Sequence, residues 1–278
     1  FLDRSTIRRG IFQTGPRPST GCPDHPAPPA ASSPWGRHWQ PGKAGAAVPL
    51  NESPLLMNTF RTRIKICGLT READVDTAVQ AGADAIGFVL YPNSPRFVSP
   101  ERAGELARRL PPFVTPVLLF VNASPEFIAQ GVAAVPNALL QFHGDETPAD
   151  CLAAGRPFIR AARIPPGPAG AGFDLLKYAF DFAAAQAILL DAHVEGFGGG
   201  GKTFNWSQLP PNVNAHLVLS GGLTPANVTD GIRQLRPKAL SLAVDVSSGV
   251  ELDGQKGLKD ARTIQEFVAA VKAADAIE

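Results

Sequence analysis

The sequence has little methionine, tyrosine or cysteine: one, two and three residues respectively in 278. The cysteines, Cys22, Cys67 and Cys151, are odd in number and lack framework spacing, which argues against a disulfide-stapled secreted scaffold. A reducing, cytoplasmic compartment suits them better. Long apolar runs are missing too, since none approaches the roughly 20 residues a membrane helix requires. Nor does one sign of charge dominate, because 26 basic and 25 acidic residues leave a formal net charge of +1. Neither nucleic acid nor an anionic membrane is therefore an expected partner, and an anionic ligand must be caught locally. Histidine is sparse as well. His25 and His38 fall near the N-terminus, His193 and His216 show no ligand spacing, and no metal site is expected.

A hydrophobic content of 44% supports a substantial core. Residues 1–57 stand apart, rich in Pro, Gly, Ala, Ser and Arg and without a sustained period of 2 or 3.6, so they read as a disordered leader. This stretch lacks the apolar segment of a signal peptide. The single methionine, Met57, is expected to be the natural start; the intact mass of protein from the native gene tests this, and a product retaining residues 1–56 contradicts it.

From Arg61 onward, short apolar strands alternate with helical segments. The expected strands are Ile64–Cys67, Ala85–Leu90, Val117–Val121, Ala138–Phe142, Phe158–Ala161, Ala187–Asp191, His216–Ser220 and Leu240–Val246. Thr70 is expected to cap the first helix, which stops at Gly82. Ser99-Pro100, Ser124-Pro125, Thr147-Pro148 and Thr224-Pro225 each place a hydroxyl at a cap and a proline at the first helical position. Ile264, Phe267, Val268 and Val271 share one face of the last helix. Eight such units over residues 58–278 predict a single-domain (β/α)₈ TIM barrel with parallel strands. An open doubly wound sheet is the alternative, disfavoured because the first strand lacks a Gly-x-Gly-x-x-Gly turn.

Barrel chemistry sits at the C-terminal ends of the strands, and these ends carry reactive groups. Strand one delivers Cys67, which catalyses only if neighbouring N–H groups or cations favour its thiolate. Strand six delivers Asp191 from an apolar run, where desolvation favours the neutral acid that can donate a proton. Arg96 follows a stiff Pro-Asn-Ser-Pro loop and suits a bidentate grip on a carboxylate. His143 reads as a hydrogen-bond partner for substrate. Glycine and serine at Ser220-Gly221-Gly222 and Ser247-Ser248-Gly249 suit a backbone phosphate cradle. Gly196 to Thr203 satisfies the Walker A expression, but Pro210-Pro211 prevents the helix a P-loop must enter. A glycine-rich lid is the preferred reading.

Lys65-Ile66-Cys67-Gly68-Leu69-Thr70, Gly82 to Val89, Tyr91 to Arg96, Phe120-Val121-Asn122, Gln141-Phe142-His143-Gly144, Leu189-Leu190-Asp191, Gly200 to Phe204, Leu219 to Leu223 and Asp245 to Glu251 together resemble the phosphoribosylanthranilate isomerase family. Two departures are that Phe142 stands where the family usually has an aliphatic residue, and that the approach to strand eight is longer. The resemblance implies the third step of tryptophan biosynthesis from chorismate. In it, N-(5-phosphoribosyl)anthranilate becomes 1-(2-carboxyphenylamino)-1-deoxyribulose 5-phosphate by an Amadori rearrangement, without metal or organic cofactor. It further implies Asp191 as general acid and Cys67 as general base. Lys65, Arg96, His143 and Asp245 are then substrate-binding, with Arg96 on the anthranilate carboxylate. Gly201, Gly221, Gly222, Ser247, Ser248 and Gly249 are phosphate-binding. A phosphorylated small molecule is the expected partner, and the protein is expected to be a monomer or homodimer. The rivals are the related histidine-pathway isomerase, which resembles a two-aspartate enzyme, and a non-catalytic barrel that binds a phosphorylated metabolite.

Overall fold

The computed structural model describes residues 61–165, 167–192 and 205–276. The expected leader, Met57, His193 and the glycine-rich lid with Gly201 lie outside them. Within them, eight parallel strands close into a barrel in sequence order: β1 Arg63–Cys67, β2 Ala85–Val89, β3 Thr115–Phe120, β4 Leu139–Phe142, β5 Phe158–Ile164, β6 Ala187–Ala192, β7 His216–Leu219 and β8 Ser241–Val246. Closure is made by β8 pairing with β1, Asp245 opposite Lys65. The helices are α1 Glu72–Ala81, α2 Pro100–Ala107, α3 Pro125–Ala134, α4 Pro148–Ala153, α5 Leu175–Asp181, α6 Val228–Leu235 and α7 Ala261–Ala276. Between β6 and β7 the described chain forms only a short 3₁₀ turn, Trp206–Gln208. That agrees with the prolines that follow it and removes the helix a P-loop requires.

Each strand is buried on both faces, so alternation sorts side chains into separate cores. Ile64, Ile66, Ile86 and Phe88 join the large core under the helices. Cys67, Val89, Leu119 and Val121 pack together on the inner face, above a second inner cluster of Ile159, Ala161, Leu189 and Val218. Phe142 belongs to the outer core, where its ring lies 6.3 Å from Phe120 and 5.7 Å from Phe158. The expected face of α7 is buried.

Ser99, Ser124 and Thr147 cap their helices as expected, each accepting a backbone N–H three residues on, with proline following. Two caps differ. The Thr70 hydroxyl instead donates to the Gly257 carbonyl at 3.3 Å, and α1 starts one residue later, where Arg71 pairs with Asp74 at 2.7 Å. At Thr224-Pro225 the chain makes a turn, and α6 begins only at Val228. There the Asn227 side chain accepts the Thr224 N–H at 2.8 Å and donates to the Gly222 carbonyl at 3.0 Å, so it closes the loop the threonine was expected to cap. Strand bounds shift by one to three residues at their ends, most at β5, which runs on to Ile164.

Candidate active site

The inner face near the C-terminal strand ends is where polar side chains replace apolar ones. On β1, Lys65 and Cys67 point inward on successive turns of the pleat. Lys65 Nζ donates to Asp245 Oδ1 on β8 at 2.8 Å, and both side chains are almost fully buried. Burial lowers Lys65, but the Asp245 carboxylate, with a further contribution from Cys67, outweighs it and holds the ammonium above its ordinary range. Ser220, just past β7, donates to the other oxygen of Asp245 at 3.2 Å.

The Cys67 thiol shares this environment, and Gly87 on β2 makes the space for it: a Cβ there would lie 2.6 Å from Sγ. Burial pushes the thiol up from its usual value, with the Lys65 ammonium opposing and Asp245 reinforcing the shift. The thiol form therefore prevails in this state. Lys65 and, more weakly, Lys259 are the cations that favour the thiolate.

On the other side, Asp191 ends the inner face of β6, 6% exposed. Its Oδ2 lies 2.9 Å from His143 Nε2, and Gln141 Nε2 lies 3.0 Å from His143 Nδ1. The Gln141 amide thus holds one ring nitrogen of His143 while the other faces Asp191. Asp191 also abuts the loop after β7, where Gly221 adopts φ +77°. A Cβ on Gly221 would lie 2.7 Å from Asp191 Oδ1. Thus β6, β7, β8 and β1 present a contiguous inner surface running from Asp191 past Gly221, Ser220, Asp245 and Lys65 to Cys67.

The two glycine-rich loops meet each other. Gly249 packs so closely against the Leu223 carbonyl that no Cβ fits, and Gly222 takes φ +64°. Ser248–Val250 forms a 3₁₀ turn, while Ser247 Oγ donates to the Cys67 carbonyl at 3.0 Å. The loops carrying Gly221 and Gly222 and carrying Ser247, Ser248 and Gly249 adjoin at the barrel mouth; Gly201 lies outside the described residues.

Arg96 reaches the same mouth, its stem crossing Gly68, where a Cβ would lie 2.5 Å from Arg96 Cδ. Its bidentate grip is already engaged, however. Nε and Nη2 donate to Glu251 Oε1 and Oε2 at 2.6 and 2.7 Å. Lys259 Nζ donates to the same Oε1 at 2.9 Å.

Gln141, Glu251 and Lys259 were not singled out from the sequence, nor was a buried clamp behind β4. Glu146 accepts the N–H groups of Asn122 and Gly144 at 2.7 and 2.9 Å, and pairs with Arg160 at 3.0 Å. Arg160 also donates to the carbonyls of Phe142 and Gly144, which bracket His143. The available signal was an arginine inside the apolar run Phe158 to Ala162, since a charge in a covered strand needs a buried partner. Among the described residues, no cluster of His, Cys, Asp and Glu is placed to hold a metal ion.

Fold and site together define a (β/α)₈ barrel of the enzyme type, with a buried thiol, a buried carboxyl group and two glycine- and serine-rich loops at one mouth. Residues 64–270 match the family model for N-(5'-phosphoribosyl)anthranilate isomerase, and the chain belongs to that family. It is 62% identical over 222 residues to the N-(5'-phosphoribosyl)anthranilate isomerase of Leptothrix cholodnii, covering 80% of this chain and 96% of that one. Among solved structures, it resembles phosphoribosyl anthranilate isomerase from Thermotoga maritima with a TM-score of 0.63 and 38% identity, over 76% of this chain and 99% of that one. A further phosphoribosyl anthranilate isomerase, solved with reduced 1-(o-carboxyphenylamino)-1-deoxyribulose 5-phosphate, matches with a TM-score of 0.61 and 35% identity, over 76% and 99%.

Proposed function

We infer that the chain isomerises N-(5-phosphoribosyl)anthranilate to 1-(2-carboxyphenylamino)-1-deoxyribulose 5-phosphate in tryptophan biosynthesis. Asp191 donates a proton to the furanose ring oxygen, the ring C–O bond breaks, and an imine forms. Cys67, as thiolate, removes the C2 proton to give the enolamine, which takes a proton at C1 and loses one from the C2 hydroxyl to become the ketone. Atoms balance, as an isomerisation requires. Lys65 favours the thiolate, while His143 orients Asp191.

Arg96 holds the anthranilate carboxylate, and backbone N–H groups around Gly222 and Ser248 hold the phosphate. The ligand is thereby pinned at its two anionic ends with the pentose between acid and base. All of these residues come from one chain, so a monomer suffices and a homodimer carries two sites. Cys67 and Cys151 are free thiols, in keeping with a cytoplasmic protein.

The observation that carries this reading is the continuous inner surface joining Asp191 to Cys67, which brings a carboxyl group and a thiol to one mouth. A thiol on β1 also disfavours the histidine-pathway isomerase with its two aspartates. The test is to mix the protein with freshly made phosphoribosylanthranilate and follow anthranilate-type fluorescence. A rapid enzyme-dependent loss is expected; a rate equal to that without protein overturns the assignment.

A further inference from the structure

We propose that Glu251 is the positioning residue that aims Arg96 at the carboxylate of the substrate, and so sets the preference for a carboxylated aryl group. The proposal rests on the reading that Arg96 receives that carboxylate.

A guanidinium has two bidentate edges, one made by Nε and Nη2 and the other by Nη1 and Nη2. Glu251 takes the first, with bonds of 2.6 and 2.7 Å. The second edge makes no hydrogen bond among the described residues, and it is the edge this proposal gives to an incoming carboxylate. The long arginine side chain would otherwise sample many rotamers, and an ordered one loses less freedom on binding. Here the stem is confined by Gly68 and the head by Glu251.

Glu251 is itself tied down. Lys259, fully buried, bonds Glu251 Oε1, the Ser247 carbonyl at 2.9 Å and Ser247 Oγ at 3.3 Å. Ser247 in turn donates to the Cys67 carbonyl. The fork of Arg96 is thus fixed relative to both the base and the phosphate loop. Burial disfavours a charged Glu251, but Arg96 and Lys259 outweigh it and hold the carboxyl below its ordinary range. Glu251 therefore remains the anion its role needs.

The test compares the affinities of two reduced product analogues, one with and one without the ortho-carboxylate, for the wild type, Glu251→Gln and Arg96→Leu. Glu251→Gln is expected to cut the preference for the carboxylated ligand at least about tenfold while affinity for the other ligand changes less than about threefold. Equal losses for both ligands would mean a merely structural role and overturn the proposal. So would an unchanged preference, or tighter binding of the carboxylated ligand, which would make Glu251 its competitor. Arg96→Leu separates the two levels. If it keeps the preference, the assignment of Arg96 fails; if it loses the preference while Glu251→Gln keeps it, only the present proposal fails. Should Glu251→Gln not fold, Glu251→Asp keeps the charge beside Lys259 but is one methylene too short for the fork, and the same loss of preference is expected.

Discussion

His143 Nε2 sits 2.9 Å from Asp191 Oδ2, two strands away across the inner wall of the barrel. An imidazole held there by Gln141 gives the acid a fixed orientation and a neighbour with which it can share a proton. His143→Asn is expected to lower kcat about tenfold or more, with product affinity nearly kept. Gln141→Leu, which frees the ring without removing it, should fall between His143→Asn and the wild type. Steady-state kinetics with product titrations check both, and an unchanged kcat in His143→Asn contradicts the role.

The pH dependence follows from Cys67. A base must be deprotonated, and burial raises this thiol, so turnover limited by C2 proton removal should climb on the alkaline side rather than plateau at neutrality. A kcat profile flat above neutral pH would contradict that.

Stability should move the opposite way. Cys151 is buried, which pushes its thiol up to about 11. Its neutral form is favoured in the folded state, so its contribution is complete below the unfolded thiol value and is lost as pH rises toward the folded one. The loss is on the order of 2 to 3 kcal/mol. Cys151→Ala should shrink the fall in unfolding free energy between about pH 8 and 11 by that amount, and urea unfolding at the two pH values checks it.

Gly221→Ala should harm both stability and turnover. The position has φ +77°, and a Cβ would lie 2.6 Å from the Ala192 N and 2.7 Å from Asp191 Oδ1. The strain costs on the order of 1 to 3 kcal/mol, and pushing the acid aside costs kcat. A variant with wild-type kcat would show that Asp191 tolerates displacement.

The Glu146–Arg160 pair should prove structural. Arg160→Met leaves a buried carboxylate without its partner, expected to cost about 3 to 5 kcal/mol. Thermal unfolding of the variant measures it; a loss under 1 kcal/mol contradicts the clamp.

The barrel was legible because its signals are local. Alternating apolar strands, three Ser/Thr-Pro caps and the face of α7 each follow from residues a few positions apart. Cys67, Asp191 and His143 were legible as polar groups at apolar strand ends. What stayed hidden is pairing across the chain. Glu251 lies 155 positions from Arg96 and Asp245 lies 180 from Lys65, so nothing local reveals that those cations are already engaged. The cap at Thr70 failed for the same reason, because the distant Gly257 carbonyl takes its hydroxyl, whereas at Thr224 the competitor is local: Asn227 accepts the Thr224 N–H.

The most direct test is to replace Cys67 by Ala and Asp191 by Asn separately, measuring kcat beside the affinity for reduced product. Each variant should lose at least about 10² in kcat while binding the ligand almost as tightly as the wild type. Wild-type turnover in Cys67→Ala would contradict the assignment of the base, and with it the acid–base pair across the barrel mouth.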